Sequence, residues 1–238
     1  MIIYGVNPVI EALRAKRVTR LRVSGRADRR IDEAVALARA AGVPVERVDV
    51  QALERAARGG GHQGIVAEVE APRDYRIADL IERAAPGAPL IVVLDGIEDP
   101  HNVGAILRTA DAAGVHGIVR QARHSASLDG IVAKASAGAL NHVRIATEVN
   151  IARAIDELKE AGVWTVGLAG EAGETYDQVD LTVPTALVLG AEGTGLRRLV
   201  RERCDRLVSI PMRGAVESLN VSVAAGVVLF EAARQRKH

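Results

Sequence analysis

The feature that most limits the fold is a series of short apolar runs, each closed by turn residues and separated from the next by a segment of helical periodicity. The clearest is LIVVLDG, from Leu90. It is apolar at consecutive positions, so both faces of the strand must be covered, as in a parallel sheet lying between layers of helix. Strand-like runs recur at 117–119, 143–145, 164–168, 186–189 and 207–210. The alternation predicts a parallel α/β domain, the kind that binds ligands at the carboxyl ends of its strands.

Ahead of it lies a smaller βαβα pattern. Asn7 before Pro8 predicts a helix start, and 20–23 is β-like. Ile31, Ala34, Val35, Ala38 and Ala41 form one helical stripe that ends at Gly42. A strand at 43–48, a short helix at 51–57 and, after the turn GGGHQG, a strand at 65–69 complete a compact α/β module over 1–71. The breaks EAPRDYR and APGAP mark 72–88 as a linker carrying a helical turn at 79–84, which leaves 89–238 for the larger domain.

Composition removes several function classes. With 48% hydrophobic residues in 238, the chain can bury a core, which excludes disorder and a disulfide scaffold. The five aromatic residues, Tyr4, Tyr75, Trp164, Tyr176 and Phe230, are too few and too scattered to read single-stranded nucleic acid by stacking. Net charge is +1 overall, but 1–71 holds 12 Lys or Arg against 9 Asp or Glu, net +3, while the remainder is net −2. Attraction to a polyanion is therefore expected in the front module. Cys204 is the only cysteine, which excludes an internal disulfide and a cysteine metal cluster. No apolar run approaches the roughly 20 residues of a membrane span, and the amino terminus lacks a signal-peptide pattern. A cytoplasmic protein with no metal and no membrane partner is expected.

Three segments at the carboxyl ends of predicted strands carry the chemistry. IEDPHNVGAILRTADAAG places Asn102 to cap a helix that bears Arg108. GAEGTGL bends at Gly190, Gly193 and Gly195 but fits neither the dinucleotide fingerprint nor the phosphate loop, and Glu192 within it would repel phosphate. SIPMRGAVESLNVSVAAGVVLFEAARQR places Ser218 or Asn220 at the mouth of a long apolar helix, where free N–H groups can meet a polar ligand. Taken singly, each segment is explained by capping or by a tight turn.

Together, and in this order, NVGAILRTADAAG, LVLGAEGTGL and IPMRGAVESLNVSVAAGVVLFEA resemble the SpoU (TrmH) family of RNA 2′-O-ribose methyltransferases over about 90–233. The front module with GGGHQGIVAEVE is similar to the RNA-binding domain of a branch that methylates guanosine in 23S rRNA. The resemblance implies an L30e-like amino-terminal module and a parallel-sheet α/β methyltransferase domain of SPOUT type with a carboxyl-terminal trefoil knot. It also implies a homodimer, 23S rRNA as partner, and S-adenosylmethionine held by Leu189, Gly190, Ile210, Met212 and Leu219. Arg108 matches the proposed catalytic arginine, and Asn102, Glu192, Ser218 and Asn220 match the other polar positions. The stretch HSASLDGIVAKASAGA matches a further family segment at Ser136, Gly138 and Ala139, with no chemistry assigned.

A ribose hydroxyl is a weak nucleophile, so methyl transfer requires its proton to be taken up, its oxygen aligned and the developing charge stabilised. Arg108 can act as base or as phosphate clamp, and with an ordinary arginine pKa above about 12 the base role needs a large shift. Asn102 and Glu192 are expected to orient Arg108, and Ser218 and Asn220 to hold the ribose or the methionine end of the cofactor. The competing readings are methylation of tRNA or another rRNA site, a non-catalytic RNA-binding protein, and a nicotinamide dehydrogenase, which the missing G-x-G-x-x-G disfavours.

Overall fold

The computed structural model describes residues 1–25 and 28–237. In chain order the first elements are β1 (Ile2–Tyr4), α1 (Val6–Arg14), β2 (Val18–Val23), α2 (Arg29–Ala40), β3 (Val45–Arg47), α3 (Val50–Ala56), β4 (Ile65–Val69), β5 (Asp74–Tyr75) and α4 (Ile77–Glu82). Then come β6 (Leu90–Asp95), α5 (Pro100–Ala112), β7 (Gly117–Gln121), α6 (Gly130–Ala135), β8 (Ile145–Glu148), α7 (Ile151–Glu160) and β9 (Trp164–Leu168). The last are β10 (Glu174–Thr175), β11 (Thr185–Gly190), α8 (Arg198–Arg203), β12 (Arg206–Ser209) and α9 (Val221–Gln235). They form two compact units: Met1–Pro72 with Ser127–His142, and Arg73–Ala126 with Val143–His238.

The first unit is a four-stranded sheet in the order β1-β4-β2-β3. β4 pairs antiparallel with both β1 and β2, and β2 pairs parallel with β3. α1 starts at Val6, earlier than Asn7–Pro8 suggests, with Gly5 at its N-cap. Asn7 does not cap it; its Oδ1 accepts from Arg30 Nη2 at 2.5 Å. The returning stretch Ser127–His142 completes this unit. A Cβ on Gly130 would lie 2.5 Å from Tyr4 Cε1, so only glycine lets α6 rest on that ring. Asn141 Oδ1 accepts from Arg17 Nη1 at 2.8 Å. The part of the HSASLDGIVAKASAGA segment from Ser127 onward thus packs against the front module within this unit.

The second unit is an eight-stranded sheet, β10-β12-β9-β11-β6-β7-β8-β5, in which every pairing is parallel. All six residues of β6 are buried, as its unbroken apolar run requires. Ile91 and Val93 of β6, with Ala186 and Val188 of β11, face a cluster that includes Ile77, Leu80, Ile155 and Leu158. The segment 72–88, read as a linker, therefore belongs to the fold: β5 extends the sheet beside β8, and α4 buries Ile77 and Leu80. Its breaks are the ends of short elements. No helix among the described residues is long and apolar enough to cross a membrane.

Candidate active site

The strand order reverses between β6 and β11, because the chain leaves β6 towards β7 and β8 and later returns on the other side. Open parallel sheets bind ligands at the carboxyl ends of strands beside such a reversal. A cavity of about 730 Å³ lies there, walled by the ends of β9, β11 and β12 and by the segment that leads into α9. All five residues assigned to cofactor, Leu189, Gly190, Ile210, Met212 and Leu219, line it, as do Glu192, Ser218 and Asn220. Asn102 and Arg108 do not.

The cavity's shape comes from backbone closure. Ala191 and Gly195 exchange two hydrogen bonds, of 3.1 and 2.9 Å, and a Cβ on Gly190 would lie 2.2 Å from the Gly195 carbonyl carbon. Glycine at 190 is what lets the loop fold back on its own strand. The loop is then tied down from behind. Asp95, whose side chain is fully buried, accepts from Arg197 N at 2.9 Å and from Arg197 Nε at 2.7 Å.

Asn220 gathers three segments. It is the N-cap of α9, its Oδ1 accepting from Ser222 N at 2.9 Å and Ser222 Oγ at 2.5 Å. Its Nδ2 donates to Asn102 Oδ1 at 2.9 Å and to Glu192 Oε1, which also takes Val221 N at 3.4 Å. Asn102 is buried inside the first turn of α5 and does not cap it; Pro100 starts the helix and Asp99 caps it, accepting from His101 N at 2.8 Å. Asn102 and Glu192 thus orient Asn220, and neither bonds to Arg108 as expected from sequence. Arg108 lies six positions after Asn102, about 120° round the helix and about 9 Å along it. Arg108 is exposed and, among the described residues, has no hydrogen-bond or ion-pair partner.

The site fits an adenosine-type cofactor with a cationic centre. Leu189, Val208, Ile210 and Met212 give apolar wall, and the N–H groups of Ile210, Met212 and Leu219 donate to no acceptor among the described residues. Three carboxylates, Glu171, Glu192 and Glu217, stand against the single guanidinium of Arg201, which is itself paired with Glu171. That balance suits a sulfonium and opposes a pyrophosphate. Among the described residues no cluster of His, Cys, Asp and Glu could hold a metal. Burial pushes the Cys204 thiol up to about 12, which opposes formation of a nucleophilic thiolate.

Sequence reasoning missed the loop after β9, where Leu168 to Glu171 supply one wall, and the Asp95–Arg197 tie. The first had a usable signal, since β9 ends like the other strands of a parallel sheet.

Residues 89–230 match the model of the SpoU rRNA Methylase family, and residues 2–75 match one described as RNA 2'-O ribose methyltransferase substrate binding. The 23S rRNA (guanosine-2'-O-)-methyltransferase RlmB of Yersinia pestis is 48% identical over 241 residues, covering 99% of this chain and 97% of that protein. RlmB of Escherichia coli is 44% identical, covering 98% of each. The SpoU methyltransferase AviRb from Streptomyces viridochromogenes, solved in complex with AdoMet, superposes with a TM-score of 0.83 at 29% identity, covering 99% of this chain and 90% of that one. A family match over most of the chain, relatives alike from end to end, and a cavity built from the second and third sequence motifs, with Asn102 of the first bonded to Asn220 on its wall, lead to one conclusion: the chain belongs to the SpoU rRNA methylase family.

Proposed function

We propose that the protein transfers a methyl group from S-adenosylmethionine to the ribose 2′-hydroxyl of a guanosine in 23S rRNA. The observation that carries this reading is near-half identity to RlmB proteins through both units, including the front module that a tRNA enzyme would not need to share. When bound, the cofactor supplies an electrophilic methyl on a sulfonium. The bare N–H groups of Ile210, Met212 and Leu219 hold its polar edges, and Glu192 places negative charge in the cavity.

Asn220, held on both sides, keeps the mouth of α9 in place, and the Ser218 hydroxyl on the cavity wall is available to the ribose or the methionine end. The exposure of Arg108 favours the phosphate clamp: none of the described residues competes for its five N–H donors, which can take an RNA phosphate bidentately and align the hydroxyl. In this reading the strand order, with β11 between β9 and β6 and β12 beyond β9, supports a carboxyl-terminal knot. Val223 and Phe230, 51% and 54% exposed one heptad apart on α9, support a homodimer. Phe230→Asp is expected to yield monomer in light scattering. A lone, half-buried cysteine accords with a cytoplasmic setting.

The test is incubation with unmethylated 23S rRNA and tritiated-methyl cofactor, followed by mass spectrometry of nuclease fragments. A labelled guanosine ribose is expected. Label confined to tRNA or to a base would overturn the assignment.

A further inference from the structure

The amino-terminal unit has a second cavity, about 600 Å³ and open to solvent, bounded by Glu54, Arg55, Arg58 and the glycine-rich turn through Gln63. The turn is sharply folded, with positive φ at Arg58, Gly59, Gln63 and Gly64. Two of its glycines are explained by the fold. Gly59 has φ +77°, and a Cβ on Gly60 would lie 2.3 Å from Tyr4 Cζ. Gly61 has neither reason: its φ lies outside the left-handed region, and a Cβ there would meet only the mobile end of Lys134, at 2.9 Å from Nζ.

The hydrogen bonds show what Gly61 leaves bare. Among the described residues the N–H groups of Gly61, His62 and Gln63 donate to nothing. His62 Nδ1 accepts from Gly64 N at 3.0 Å, so a neutral ring carries its proton on Nε2. Gln63 Oε1 accepts from Val6 N at 3.1 Å, which leaves its NH2. Arg58 has no partner among the described residues, Arg55 reaches only the Gln51 carbonyl at 3.4 Å, and Lys134 Nζ sits 3.1 Å from Gly61 O. The turn's side-chain acceptors are used internally and its donors are left over, with Glu54 the one carboxylate on the rim.

A surface of donors around bare backbone suits a ligand with acceptors only, and a phosphodiester is one. We propose that the 58–64 turn is where the front module grips RNA, the amides of residues 61–63 and the Arg58 guanidinium closing on a backbone phosphate. The proposal rests on the RNA-methyltransferase reading and names the contact that reading leaves open.

The test uses the full chain and transcribed, unmodified 23S rRNA in a salt-titrated anisotropy assay. Gly61→Val covers the amides, and Arg58→Gln removes the charge. Each is expected to weaken RNA binding about tenfold, and Arg58→Gln to flatten the plot of log affinity against log salt by about 0.7–0.9. Melting temperature and calorimetric affinity for S-adenosylmethionine should be unchanged. Wild-type RNA affinity in both variants would overturn the proposal, as would a Gly61→Val loss matched by a fall in melting temperature while Arg58→Gln is silent. Absent methyl transfer by the wild type would instead be the failure of the underlying reading.

Discussion

At the residue scale the site divides into groups that are held and one that is free. Asn220, Asn102 and Glu192 are fixed by one another, whereas Arg108 has no partner among the described residues, so removing it should disturb nothing but the reaction. Arg108→Ala is expected to abolish methyl transfer while calorimetric affinity for S-adenosylmethionine stays at the wild-type value; near-normal turnover would remove Arg108 from the mechanism. The Asp95–Arg197 tie predicts an asymmetry. Arg197 is half exposed and can return to water, but Asp95 cannot. Arg197→Ala, which leaves a buried carboxylate without its counter-charge, should cost about 2–3 kcal/mol in urea unfolding and loosen the 191–195 loop; Asp95→Asn, which keeps an acceptor for Arg197 N, should cost about 1 kcal/mol. The sequence makes Asn220 legible because capping is local. It hides the Asp95 tie because the partners stand 102 positions apart and no periodicity reports such a pair.

At the element scale the strands were the legible part. Their apolar runs follow from burial on both faces, and 65–69 and 164–168 fall on β4 and β9 as read. Helix starts were less so: Asn7 and Asn102 both look like caps, but one serves Arg30 and the other serves Asn220. A side chain of cap type reports a wish for hydrogen bonds without saying whose. The end of α9 shows a further device. The half-buried Arg236 guanidinium donates to the carbonyls of Leu181 and Val183 at 2.7 Å, Ala88 at 2.7 Å and Pro89 at 3.1 Å, so one side chain ties the last helix to two loops. Lysine cannot reproduce that planar fork. Arg236→Lys should lower stability by about 2 kcal/mol and the melting temperature by roughly 4–8 °C, read by calorimetry.

At the scale of the whole molecule, acid should act in two stages. His116 Nδ1 accepts from Leu90 N at 2.9 Å, and burial, helped by Arg236, holds its pKa below the ordinary histidine value of 6.5. The unfolded chain therefore binds the proton first, so this contribution is complete above about pH 6.5 and is lost as pH falls through the folded value. The carboxylates held low, including Glu231 at about 2 beside Arg234, lose theirs only as pH falls below about 4.5. His116→Asn, which keeps an acceptor for Leu90 N without a titrating ring, should flatten the urea midpoint between pH 7 and 5 and leave the lower stage intact.

Reading 1–71 as a continuous module suggests that it could be removed cleanly, but the first unit is discontinuous: the chain leaves at Pro72 and returns for Ser127–His142. Periodicity cannot show such a return, because it describes neighbours along the chain only. Removing 1–71 would strip Tyr4 from Gly130, Gly61 from Lys134 and Arg17 from Asn141. With its packing surface gone, α6 has only six residues, too few to stay helical alone. Limited trypsin digestion should therefore cut the 72–238 fragment at Lys134 at least tenfold faster than the full chain. Equal rates would mean that Ser127–His142 holds its fold without the module, and that a clean separation of RNA binding from catalysis by truncation is possible after all.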